Sequence, residues 1–106
     1  MEELLNEVKQ AAKNELKRAN ATHPLFTSLH EAYGVLAEEL DETKEEFEYV
    51  KEAFDRFFMC VKKDDYESAF NYLVIIKVMA TNCAAEAIQV AAMAQKAMDS
   101  IRKKIK

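Results

Sequence analysis

Apolar residues recur along this chain with the period of a helix, and they do so in three separate stretches. In the first, Leu4, Leu5, Val8, Ala11, Ala12, Leu16 and Ala19 form one stripe, which predicts a helix from about Glu3 to Asn20. Ala21-Thr22-His23-Pro24 ends it, because proline cannot continue a helix and biases the residue before it towards extended backbone. A second helix opens at Ser28 with Glu31 three residues on, the pattern of a capping box. Its apolar positions are Leu29, Tyr33, Leu36, Leu40, Thr43, Phe47, Val50, Phe54, Phe57 and Val61. They alternate in steps of four and three, a heptad pattern with Tyr33, Leu40, Phe47, Phe54 and Val61 as a positions, and they carry the helix to about Lys62.

The third helix is predicted to start at Asp64 as N-cap, with Glu67 completing a weaker box. Tyr66, Leu73, Ala80, Ala87, Ala94 and Ile101 are its a positions, and Ala69, Ile76, Cys83, Val90 and Ala97 its d positions. It should reach about Lys103, where Arg102, Lys103 and Lys104 suit the negative end of the helix dipole. With a tight turn at Lys63-Asp64, helices two and three fold back on each other. The expected fold is therefore all-α: a long antiparallel helical hairpin plus one N-terminal helix, a single domain over residues 1–106, assembling into a helical-bundle oligomer.

Composition sharpens this picture. One Gly and one Pro in 106 residues leave few means of making turns, so long helices are the natural outcome. A formal charge of −4 and pI near 5.2 argue against binding a nucleic-acid duplex through its phosphates. Cys60 and Cys83 fall among apolar residues and read as free buried thiols of a reducing compartment. The acidic opening Met1-Glu2-Glu3 does not resemble a signal peptide, and no uninterrupted apolar run reaches membrane-spanning length. A cytoplasmic protein with no membrane partner is expected, and a homodimer or homotetramer, since two long helices and one short helix cannot cover their own apolar surface.

Two local features change the picture from fold to chemistry. Glu38, Glu39, Asp41, Glu42, Glu45, Glu46 and Glu48 crowd one stretch of helix two, relieved only by Lys44. Conversely, Glu86 is the sole charged residue between Val78 and Gln95. A carboxylate in such apolar company is costly unless it is paired, hydrogen-bonded or bound to a cation. In a hairpin turning at Lys63-Asp64, residues whose numbers sum to about 127 lie level. Glu39 and Glu42 then stand level with Glu86 and Gln89. Glu39 and Glu86 share heptad position g, while Glu42 and Gln89 share c, so each arm offers two oxygen-bearing side chains, roughly 60° apart, on the same side. Three carboxylates and an amide call for a hard divalent cation, Mg²⁺ or Mn²⁺ or Ca²⁺ rather than Zn²⁺. Mg²⁺ commonly completes its shell with water and a phosphate, which suggests a nucleotide ligand.

Glu38-Glu39-Leu40-Asp41-Glu42 resembles the E-E-x-x-E motif of the MazG-like all-α nucleoside-triphosphate pyrophosphohydrolases, and Glu86-Ala87-Ile88-Gln89 sits where that family has E-x-x-D. Residues 28–33 and 87–94 are similar to segments of small, mostly phage-borne proteins often grouped with it. The likeness covers roughly residues 26–48 and 82–98. It implies that Glu39, Glu42 and Glu86 are metal ligands, with Glu38 their neighbour, and that Mg²⁺ orients a triphosphate for hydrolysis to monophosphate and pyrophosphate. Two departures stand out: Gln89 replaces the acid, removing one negative charge, and the segment between the motifs is longer than usual. Lys9, Lys13, Arg18 and His30 are candidate contacts to the nucleotide. The competing expectations are a nucleotide-sequestering protein without turnover and a helical partner-binding module without chemistry.

Overall fold

A computed structural model of the chain describes residues 1–105. They form three α-helices: α1 (Glu2–Thr22), α2 (Leu29–Lys63) and α3 (Tyr66–Ile101), with a 3-10 turn at Arg102–Lys104 and no strand among the described residues. The protein is all-α, a long hairpin preceded by one helix.

The breaks fall where local chemistry puts them. His23, before Pro24, adopts extended backbone and closes α1 by donating its N–H to Ala19. Ser28 caps α2 by accepting the N–H of Glu31 through its hydroxyl at 3.1 Å. Glu31 reaches one residue beyond the usual reciprocal partner, accepting the N–H of Thr27 at 3.2 Å. At the hairpin turn the expected cap moves by one residue. Asp64 has φ +52°, while the N–H of Asp65 bonds to Cys60 and that of Asp64 to Val61, the two bonds of a Schellman ending. Asp65, rather than Asp64, caps α3 by accepting the N–H of Ser68 at 3.1 Å. These bonds hold the Asp65 carboxyl below the usual carboxylate range.

The chain divides into two compact units, and the division falls inside two continuous helices. Unit 1 is Met1–Leu40 with Glu86–Lys106, and unit 2 is Asp41–Ala85. In unit 1, α1 runs in the same direction as the end of α3, with Glu15 bonded to Gln89 and Phe26 to Ser100, and Lys9, Ala12, Lys13 and Leu16 share a shallow cleft with Ala91, Ala92 and Gln95. Ala92 and Met93 are buried there. Lys96 is 5 % exposed and lays its ammonium 4.8 Å from the centre of the Phe26 ring. The Phe26 N–H donates to Ser100 Oγ at 2.8 Å, pinning the α1–α2 connection onto α3. Unit 2 is the closed end of the hairpin, with Ala53 and Cys60 buried against α3. Arg56, on α2, bonds across to Tyr72 and along its own helix to Glu52.

The heptad period is as expected, but its phase is not. The a positions of α2 (Tyr33, Leu40, Phe47, Phe54 and Val61) are all exposed, as are Tyr66, Leu73, Ala80 and Ala87 of α3. The covered positions are d and g. In unit 2 these include Val50, Ala53, Phe57 and Cys60 facing Ala69, Tyr72, Ile76 and Met79; in unit 1 they include Ala32 and Leu36 with Val90 and Met93. At g, α2 has the small residues Ala32, Ala53 and Cys60 while α3 has the larger Tyr72, Met79 and Met93, so the seam combines small positions on one helix with large ones on the other. The thiols of Cys60 and Cys83 are both free. The expectation about membrane spans needs one qualification. Although Glu86 interrupts its apolar run, Tyr66–Lys104 contains an 18-residue window of mean hydropathy 1.5, long and apolar enough by composition alone to cross a membrane, a test that the core helix of a soluble bundle also passes.

Candidate functional site

Because the seam uses d and g, the g-position acids are turned towards it instead of lying on its flank. Glu39 and Glu86 are accordingly half-buried, whereas Glu42, one turn further along α2, is exposed. One carboxylate oxygen from each of Glu39, Glu42 and Glu86 lies within 4.8 Å of the other two. The level relationship between the helices is fixed close by, where the Cys83 thiol meets the Thr43 carbonyl at 3.7 Å. At this spacing each pair of ionised carboxylates repels by between about 1 and 4 kcal/mol, depending on how much water screens them. Nothing in the backbone requires that cost. Helices of this register would close as well with apolar residues at 39 and 86.

The donor set fits a hard cation. All three groups are carboxylates, and two oxygens bound to one Mg²⁺ are at most about 4.2 Å apart, against about 5 Å on Ca²⁺. Three oxygens within 4.8 Å of one another come into range of one hard cation, Ca²⁺ with the smallest side-chain movements and Mg²⁺ or Mn²⁺ with larger ones. No family model, curated protein or solved structure matches this chain. The chemistry has to be argued from the residues.

The remaining candidates lie at different distances from the cluster. Glu38 is exposed, a step of about 100° round α2 from Glu39. Gln89 is half-buried and its amide is already engaged: Nε2 donates to Glu15 Oε2 on α1 at 2.7 Å. Glu15 also pairs with Arg18. An acceptor-only carboxylate on one end of the Gln89 amide fixes its orientation, leaving Oε1 as the free end of that group. Lys9 and Lys13 line the α1–α3 cleft of about 250 Å³, under two turns and about half a turn along α1 from Glu15. His30 is exposed on the first turn of α2.

One acidic residue of this region, Glu15, was not singled out from the sequence, and another, Glu46, was placed in the acidic run without a role. Glu15 lies among Ala11, Ala12, Leu16 and Ala19 on the apolar side of α1, a position that hints at burial but not at its partner. Glu46, at the next g position after Glu39, has a buried Oε2 with no hydrogen-bond partner among the described residues. Its heptad position, g like that of Glu39, is legible in the sequence.

Proposed function

We propose that this protein is a Mg²⁺-dependent nucleotide pyrophosphohydrolase of the MazG-like kind, acting on a nucleoside triphosphate or a related nucleotide. The observation that carries the reading is the convergence of Glu39, Glu42 and Glu86 within 4.8 Å from two helices. Half-burying two acids beside each other has a structural cost that a bound cation would reverse. Glu39, Glu42 and Glu86 would hold the metal, with Glu38 at its margin and the carbonyl end of Gln89 as a neutral donor. The metal supplies charge neutralisation at the phosphates and activation of water. Lys9 and Lys13 would meet phosphate charge along α1, and Arg18 keeps Glu15 in place beside Gln89.

The test is direct: pure protein, a panel of nucleoside triphosphates and diphosphates, and Mg²⁺ or Mn²⁺. Release of pyrophosphate and a monophosphate from at least one of them, abolished by chelation, supports the reading. Its absence across the panel sinks it.

One observation favours a second reading, in which the protein binds a nucleotide without turning it over. An amide stands at Gln89 in place of an acid, and it is held by Glu15. A site with one fewer negative charge binds a divalent cation more weakly. Calorimetry would then show nucleotide binding with no product, and Gln89→Asp would bring turnover into view.

A further inference from the structure

In unit 2 the a and e positions of both helices lie off the d/g seam, and because the helices are antiparallel they lie on the same side of the hairpin. Phe47, Phe54 and Phe58 of α2 and Tyr66, Phe70 and Leu73 of α3 are between 46 % and 80 % exposed. Near the turn, Val61, Tyr66, Phe70 and Leu73 help to wall a cavity of about 460 Å³. The same surface thus carries projecting phenylalanines and a hollow. Contiguous exposed apolar surface on this scale marks an interface.

The folded chain exposes 8256 Å², whereas a compact monomer of 12.2 kDa exposes about 6,000 Å². The surplus of about 2,000 Å², to which this face contributes, is more than the roughly 800 Å² that each partner gives to a standard interface, so the chain has surface to spare for a second copy. We propose that the a/e face of residues 41–85 is a homodimer interface, in which two copies apply this face to each other about a two-fold axis. A two-fold contact needs a surface complementary to itself, and a face bearing both knobs and a hollow meets that need. Lys44, Lys51 and Lys77 stand at e positions of this face and Asp41, Glu48 and Asp55 at b positions along its edge on α2, so two copies of the face can set opposite charges against each other. The proposal is independent of the carboxylate cluster and of any nucleotide.

The chain has no tryptophan, so Phe54→Trp gives a clean reporter of this face and Glu52→Trp one of the opposite face. Light scattering at micromolar concentration should give twice the chain mass. On dilution the Phe54→Trp emission should shift to the red in step with the loss of dimer, while that of Glu52→Trp stays fixed. Phe54→Glu and Leu73→Glu, both at positions exposed in the single chain, should each raise the dissociation constant at least a hundredfold. Circular dichroism reports whether those variants keep their helices; if they do not, the tryptophan dilution series alone decides. A chain that is monomeric throughout the micromolar range overturns the proposal. So does a dimer that persists while the Phe54→Trp emission stays solvent-like. Blue-shifted Phe54→Trp emission that appears only with phosphatidylcholine–phosphatidylglycerol vesicles, or only with a different protein bound, overturns it as well.

Discussion

The two units use the same two helices to opposite ends. In unit 1 a third helix covers the hairpin, and polar groups fasten it: Gln89 to Glu15, Phe26 to Ser100, and the Lys96 ammonium to the Phe26 ring. In unit 2 no third helix is present, and large aromatic residues stand in the open while only Ala53 and Cys60 are fully covered. Two antiparallel helices have one seam between them, so each buries one stripe and leaves the rest to other elements. Where α1 supplies such an element, the chain can afford polar and charged groups in half-buried positions. Where it does not, the sequence keeps apolar residues outside the seam, waiting for cover.

The largest effect that would sharpen this contrast is on the proposed chemistry. Glu86→Gln and Glu39→Gln should each lower nucleotide hydrolysis at least a hundredfold, roughly 3 kcal/mol in the barrier. Both should leave the thermal midpoint unchanged or higher in metal-free buffer, because they remove repulsion. A fall in midpoint with activity intact would assign these acids to the fold alone. The next effect tests the packing. Met93→Ala, in the covered part of unit 1, should cost about 2–4 kcal/mol in urea denaturation. Leu73→Ala, exposed in unit 2, should cost under about 1 kcal/mol in any chain kept monomeric. Equal costs in the monomer would break the distinction between the units.

Smaller changes are expected at the turn. The Asp65 carboxyl is held below its ordinary pKa by the cap to Ser68. A depressed carboxyl contributes stability that is complete above the unfolded pKa near 3.9 and disappears as pH falls through the lower folded value. Asp65→Ala should therefore lower the midpoint at neutral pH and flatten the acid limb below pH 4, as followed by circular dichroism. The smallest pair is a swap of backbone preference. Gly34 lies inside α2 with open space where a Cβ would go, so Gly34→Ala should stabilise by about 0.5–1 kcal/mol. Asp64 sits at positive φ, so Asp64→Gly should gain a similar or smaller amount, about 0.5 kcal/mol. Chemical denaturation reads both.

Much of this was legible in advance because it is decided locally. Pro24, the Ser28–Glu31 pair and the unbroken period of α2 and α3 specify where helices begin and end, within a residue or two. Equal distance from the turn is enough to set Glu39 and Glu42 level with Glu86, since both arms rise by the same amount per residue. The cap at Asp65 was missed by one place, because two adjacent aspartates compete for it and the Schellman bonds to Cys60 and Val61 settle the contest. Glu15 was missed because its partner lies on another helix, 74 residues away.

The sequence by itself determined three helices, their lengths, and a period of seven. Only the tertiary structure decided which stripe of that heptad closes the hairpin. Hydrophobicity along a chain adds together every surface that will eventually be covered, by its own helices or by anything else, and it favours the largest residues. The seam between two helices takes small and large residues together. Phe47 and Phe54 therefore looked like the inner seam, yet it is Val50, Ala53, Phe57 and Cys60, with the acids at Glu39, Glu46 and Glu86, that face it.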